Sequence, residues 1–145
     1  MAKKKTTYSG IILILTAIGI VLGLIKTGLI FINIKLLLAP TLISNSVTNI
    51  INFVFSIIGL VILTIFFFKL YNVTPDLIKW TNITYGFSVF NMLLGVILSI
   101  IVGGLLGAIL SGIGIIFFLP IFIIIWITFV LHLKKAQKEK LMDFS

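Results

Sequence analysis

The chain has 145 residues, of which 61% are hydrophobic and 10% are charged. Ordinary globular domains carry about 25% charged residues, so this chain has too little polar surface to cover its apolar side chains in water. The composition therefore excludes a soluble domain and predicts an integral membrane protein whose outer surface faces lipid.

The net charge of +8 comes from eleven lysines against three acidic residues, and the sequence has no arginine. Without arginine there is no planar guanidinium to bind phosphate bidentately, so we do not expect nucleic-acid binding. Most of the lysines lie in the two terminal segments, where we expect them to contact headgroups of the lipid bilayer on the cytoplasmic side. These terminal lysines are Lys3, Lys4, Lys5, Lys134, Lys135, Lys138 and Lys140.

The first half of the chain contains two apolar stretches of the roughly 20 residues that a helix needs to cross a bilayer. Residues 9–32 form the first stretch, which is predicted to be an uncleaved helix whose Lys26 reaches the interface at its far end. A mixed segment containing Pro40 then interrupts the apolar pattern. Residues 47–68 form the second stretch, which ends at Lys69.

A turn is predicted between the second and third apolar stretches. Thr74 suits the N-cap of the following helix, and Pro75 suits its first helical position. Asp76 would complement the positive end of the helix dipole. The segment therefore predicts a short loop after Lys69, with the next helix starting directly after that loop.

Residues 83–131 contain no charged side chain. One helix of that length would measure about 70 Å, more than twice the roughly 30 Å of the hydrocarbon core, so the segment must fold back. We predict a third span at 83–104 and a fourth at 111–133, and we expect Pro120 to kink the fourth span. The turn between them is predicted among the glycines Gly103, Gly104, Gly107 and Gly112.

Together these stretches predict an all-α, four-helix bundle that forms one multi-pass domain in the cell membrane, with a short basic tail at 134–145. With the N-terminus inside, nine lysines face the cytoplasm and two, Lys26 and Lys35, face the outside. Because lysine accumulates on the cytoplasmic side, both termini are predicted to be cytoplasmic. The frequent Ile, Lys and Asn are typical of an AT-rich prokaryotic genome.

None of the predicted spans contains a carboxylate, and the chain has no cysteine and a single histidine, His132. The acidic residues Asp76, Glu139 and Asp143 all fall in the predicted loop or tail. Acid–base catalysis and metal binding need several such groups at one site. We therefore expect no enzyme activity, no catalytic residue, no metal and no cofactor, and we expect His132 at headgroup level.

Small and amide side chains recur at helical spacing in the second and third spans. In lipid, such residues let helices approach closely and form hydrogen bonds with each other. If the two spans form an antiparallel hairpin, Ser56 lies opposite Gly95, which predicts close contact there. The predicted packing seam consists of Asn52, Ser56, Gly59, Asn91, Gly95, Ser99 and Gly103.

The sequence therefore favours a non-enzymatic structural or accessory subunit that packs against copies of itself or against other membrane subunits. The alternative is a small channel, a holin-like pore former or a transport component, in which the glycine rows, the asparagines and Pro120 would serve a polar path. A third possibility is an immunity protein that protects its producer from a membrane-active peptide. Composition alone does not separate the third possibility from the first.

Overall fold

The computed structural model describes residues 4–36 and 43–144, with the side chains of 33–36 and 43–46 not described. The described residues form three helices and no strand: α1 (Thr7–Leu36), α2 (Ile43–Tyr71) and α3 (Leu77–Glu139). All three are long and apolar enough to cross a membrane. The prediction of an all-helical chain with long apolar helices is therefore confirmed, whereas Lys3, Pro40 and the side chain of Lys35 lie outside the described residues.

The predicted count of four separate helices is not supported, because α3 is a single helical element of 63 residues. Its ends also differ from the predicted span limits at 83 and 133: it starts at Leu77, and it continues through half of the predicted tail to Glu139. Lysines at an interface are good helix formers, so the helix has no reason to stop where the apolar run stops. The C-terminus of α3 is closed by Lys140 in the left-handed conformation, whose N–H donates to the carbonyl of Ala136.

One residue inside α3, Gly104, departs from helical geometry, with φ 57° and ψ −135°. These angles are close to those of the first central residue of a type II′ turn, at about +60° and −120°, which glycine adopts at no steric cost. The break therefore falls at one of the glycines where a turn was predicted. Pro120 lies within the later helical part of α3 and is not where the element breaks.

Side chains on the two sides of Gly104 contact each other. The indole Nε1 of Trp126 donates to Oδ1 of Asn82 at 2.9 Å, although the two residues are 44 positions apart. The rings of Tyr85 and Phe122 also lie 4.9 Å apart. In a straight helix, 44 positions would separate two residues by about 66 Å. The chain therefore reverses direction near Gly104, and residues 77–103 pack against residues 105–139.

The buried core lies at one end of the molecule. It is built by the start of α1, the end of α2, the following loop and both ends of α3, which places all of these segments together. In contrast, the side chains around the reversal in α3 are exposed, as Leu105 is at 79%. The core residues are Ile12, Phe66, Leu70, Val73, Leu77, Tyr85, Phe129, Leu133, Ala136 and Met142.

The loop between α2 and α3 is held by Asp76. Its carboxylate accepts hydrogen bonds from Lys69 Nζ at 2.8 Å, from the Thr74 hydroxyl at 2.6 Å and from Trp80 Nε1 at 3.1 Å. The predicted cap therefore differs: Asp76, rather than Thr74, occupies the N-cap position, and its side chain makes no capping hydrogen bond. The side chain of Asp76 instead ties the loop to the last turn of α2.

Candidate functional site: a crevice between the three helices

Two glycines of α1 allow α2 to approach closely. A Cβ at Gly19 would lie 3.4 Å from Cδ2 of Leu63, and one at Gly23 would lie 2.7 Å from Cδ2 of Leu60. Such small-residue faces supply close packing where lipid removes any hydrophobic gain from hiding one apolar helix against another. The hydroxyl groups of Thr27 and Ser56 are hydrogen-bonded across the same contact.

Beside this contact, α1, α2 and the first part of α3 leave a cleft of about 170 Å³. Gly59 of α2 lies against Asn91 of α3, because a Cβ at Gly59 would be 3.3 Å from Nδ2 of Asn91. A larger residue at position 59 would therefore require the Asn91 amide to shift. The polar residues that line this polar cleft are Lys26, Ser56, Thr84, Ser88 and Asn91.

A second cleft, of about 410 Å³, lies next to the first and is mostly apolar. Residues Gly19, Leu63, Thr84 and Ser88 line both clefts, so the two adjoin each other. We call the whole feature the crevice, with a polar end and an apolar end. The side chains that distinguish its apolar end are Leu15, Phe66, Tyr85, Met92, Phe122 and Ile125.

The hydroxyl group of Thr84 lies where the two ends of the crevice meet. Hydroxyls elsewhere in the helices, such as those of Thr81 and Ser88, donate to the carbonyl four residues earlier. Thr84 is 5% exposed, and its Oγ1 has no hydrogen-bond partner among the described residues. A buried hydroxyl without a partner costs about 1–3 kcal/mol, so an acceptor that reached this group would stabilise the protein.

The crevice offers hydrogen-bond donors and one cation. Lys26 lines its polar end and is exposed. The three acidic residues of the chain, Asp76, Glu139 and Asp143, are not among the residues that line it. An arrangement of hydroxyl, amide and ammonium groups suits a ligand that accepts hydrogen bonds or carries negative charge.

The predicted packing seam is divided between different clefts. Ser56, Gly59 and Asn91 line the polar end of the crevice, whereas Gly95 lines two other clefts. A Cβ at Gly95 would meet no atom of the described residues within 4 Å. The close contact expected between Ser56 and Gly95 is therefore absent from the described part of the chain.

The rest of the seam lines a separate cleft of about 350 Å³ between α2 and α3. This cleft brings Asn52 of α2 to the same space as Ser99 of α3. Gly103 also lines it, and a Cβ at Gly103 would meet no described atom within 4 Å. The residues that line it are Thr48, Asn49, Asn52, Gly95, Leu98, Ser99, Val102 and Gly103.

A cluster that the sequence did not predict joins the start of α1 to the end of α3. The hydroxyl of Thr6 lies 2.6 Å from Nε2 of His132, and the Tyr8 ring lies 5.1 Å from the His132 ring and 5.4 Å from that of Phe129. Sequence spacing cannot reveal a contact between residues more than 120 positions apart. Thr84 was also missed, although it lies one helical turn before Ser88 on the face that Asn91 continues.

The terminal lysines lie at the same end of the molecule as this cluster. The described ones are exposed, apart from Lys5, which is half-buried with its Nζ 4.7 Å from the centre of the Tyr71 ring.

Among the described residues, no group of three or more His, Cys, Asp or Glu side chains is placed to hold a metal ion. Comparisons with protein-family models, curated proteins and solved structures gave no match for this chain.

Proposed function

We propose that the chain is a non-enzymatic accessory subunit of the cell membrane, which crosses the bilayer four times and keeps both ends in the cytoplasm. Two observations support four crossings: α3 is about three times as long as one crossing requires, and its two parts contact each other through Trp126 and Asn82. The start of α1 and the end of α3 also contact each other through Thr6 and His132. An even number of crossings explains how both ends come to lie together.

The observation that carries the accessory role is the difference between glycines of α1 and α3. Gly19 and Gly23 of α1 are covered by leucines of α2, whereas a Cβ at Gly112 of α3 would meet no described atom within 4 Å. Small residues let helices approach closely in lipid, and a face that is left open suits the helix of another subunit or of a second copy. The open end of the bundle is thus proposed as the contact with a partner.

Topology is tested directly with reporters and labelling. A reporter active only in the cytoplasm should be active when fused to either end of the chain. The chain has no cysteine, so Leu105→Cys would provide a single thiol at the reversal in α3. A membrane-impermeant maleimide should label it from outside intact cells. Reporter activity at only one end would contradict an even number of crossings.

The partner role is tested by purification from native membranes in a mild detergent, followed by native mass spectrometry. Gly112→Leu should abolish the complex and leave the monomer folded, because a Cβ there meets no described atom. Gly28→Leu is the matched control, since Gly28 is equally open but lies on α1. A wild-type chain that elutes as a monomer without any other membrane protein would refute the accessory role.

A transport role is the second candidate, and the donor-lined crevice is the observation that favours it. Lys26, Ser56 and Asn91 would form a polar path partway across the bundle. Purified protein in liposomes should then conduct anions in preference to cations, because Lys26 is the one charged residue among the described residues that line the crevice. If no ion flux occurs at any tested potential, this candidate is removed.

A further inference from the structure

The crevice changes in chemical character along its length. At the polar end Lys26, Ser56 and Asn91 present an ammonium, a hydroxyl and an amide. At the apolar end Phe66 and Phe122 line a space of about 410 Å³ with little to bind a polar solute. A molecule that fills both ends must itself be polar at one end and apolar at the other.

We propose that the crevice binds one anionic phospholipid, with its phosphate at the polar end and one acyl chain at the apolar end. The ammonium of Lys26 provides charge complementarity to a phosphate, and lysine near a span end lies at the depth of the headgroups. The amide of Asn91 would donate a further hydrogen bond to the headgroup. No acidic side chain lines the crevice to oppose a negative charge.

The buried hydroxyl of Thr84 is the independent observation that points to a ligand. It is 5% exposed, it lacks a partner among the described residues, and it lies where the polar and apolar ends meet. A phospholipid carries ester carbonyls at just this position, between its phosphate and its acyl chains. Such a carbonyl would accept the Thr84 hydrogen bond and remove the cost of an unpaired buried donor.

A phospholipid explains the crevice better than a free anion. Inorganic phosphate would satisfy Lys26 but would leave the apolar end beside Phe66 and Phe122 unfilled. An annular zwitterionic lipid has the right chains, but its ammonium group would lie beside that of Lys26. The proposal goes beyond the accessory role, because the lipid site does not depend on whether the open face of α3 binds a partner.

The test uses the full chain purified in detergent. Native mass spectrometry and thermal unfolding are measured with added phosphatidylglycerol, with phosphatidylcholine of the same acyl chains, and with inorganic phosphate. We expect one phosphatidylglycerol molecule to remain bound at detergent concentrations that remove phosphatidylcholine, together with a rise in Tm. Equal retention of both lipids, or an equal rise in Tm with inorganic phosphate alone, would overturn the proposal.

Lys26→Gln tests the polar end of the site, and Lys79→Gln serves as its control. Lys26→Gln should weaken phosphatidylglycerol binding about tenfold, the effect of losing one charged hydrogen bond. Lys79→Gln removes an exposed lysine elsewhere and should leave binding unchanged. If both variants weaken binding equally, the lipid is held by diffuse charge and the proposal is wrong.

Thr84→Val separates ligand binding from folding. Because the hydroxyl is unpaired in the free protein, its removal should leave the Tm without lipid unchanged or higher. The rise in Tm on adding phosphatidylglycerol should nevertheless become smaller than in the wild type. If Thr84→Val lowers the Tm without lipid and keeps the full rise with lipid, the hydroxyl has a structural role and the proposed contact is wrong. The Thr84→Val result can be interpreted even if Lys26→Gln does not fold.

Discussion

At the scale of single residues, glycines of α3 that look alike in the sequence have different surroundings. Gly104 adopts a backbone conformation that side chains with a Cβ rarely enter. A Cβ at Gly107 would overlap the backbone carbonyl of Ser99. Gly95 belongs to the same four-residue row as Gly107, yet a Cβ there meets open space. Spacing alone therefore does not show which glycine is essential.

Gly107→Ala is expected to destabilise the protein, because its Cβ would collide with the Ser99 carbonyl and push the two parts of α3 apart. Gly104→Ala should also destabilise it, by about 1–3 kcal/mol for a strained backbone. Unfolding of the purified protein by SDS in mixed micelles measures both effects. Gly95→Ala is the control and should unfold like the wild type. An equal loss of stability in Gly95→Ala and Gly107→Ala would contradict the close approach of Gly107 to the Ser99 carbonyl.

At the scale of the elements, the start of α1 is held against the end of α3 by aromatic packing. Phe129 is fully buried and its ring lies 5.4 Å from that of Tyr8 in an edge-to-face arrangement. Most other phenylalanines of α3 face outward, as Phe117 does at 66% exposure. Phe129 therefore joins two elements, whereas Phe117 faces outward.

Phe129→Ala should lower the free energy of unfolding by about 1–3 kcal/mol. This is less than the roughly 3–5 kcal/mol typical of water-soluble cores, because lipid also solvates an apolar side chain and mainly the packing is lost. The same SDS unfolding assay measures it, with Phe117→Ala as the matched control of unchanged stability. If Phe117→Ala is the more damaging variant, the two ends of the chain do not meet at Phe129.

The loop between α2 and α3 is the element whose stability should depend on pH. The hydrogen bond from Lys69, followed by that from Thr74, lowers the pKa of Asp76 from 3.8 to about 2. A lowered pKa means that the carboxylate stabilises the loop fully above the ordinary value. That contribution is lost as the pH falls from about 4 towards 2.

Trp80 reports this change, because its Nε1 donates to Asp76 Oδ2. In a Trp126→Phe background, Trp80 fluorescence should change as the pH falls from 5 to 2, with most of the change below pH 4. Asp76→Asn should remove the transition, since the amide does not titrate in this range. A transition that persists in Asp76→Asn would show that another group controls the loop.

At the scale of the whole molecule, the reversal of α3 is the decisive feature. It brings Trp126 to Asn82 and returns the end of the chain to Thr6. Without it, α3 would extend far beyond any bilayer. The crevice also depends on this reversal, because Phe122 and Ile125 of the later part of α3 close its apolar end.

Cross-linking tests the reversal in the cysteine-free chain. Asn82→Cys combined with Trp126→Cys should give an intramolecular product with a short bis-maleimide, detected as a mass shift of the monomer. Asn82→Cys with Ile101→Cys is the control: both residues precede Gly104, and 19 helical positions separate them by about 28 Å. A cross-link in the control pair but not in the test pair would rule out the hairpin.

The amino-acid sequence alone predicts that this protein lies in lipid, and it predicts much of its secondary structure. Its apolar content requires lipid, and its long apolar runs predict long apolar helices, although the sequence predicted four spans. The length of the last run predicts a reversal, and the glycines near 104 predict its position. Helix ends were predicted less well, because Leu77 and Glu139 depend on the loop and the interface rather than on hydropathy.

Which helical faces meet is seen only in the folded structure. Gly59 and Gly95 both belong to the predicted seam, yet a Cβ at Gly59 would lie 3.3 Å from Nδ2 of Asn91, whereas one at Gly95 would meet no described atom within 4 Å. The unpaired hydroxyl of Thr84 and the contact of Thr6 with His132 likewise depend on neighbours that are distant in the chain. Local pattern determines helices because their hydrogen bonds are local, whereas a site between helices depends on contacts across the fold.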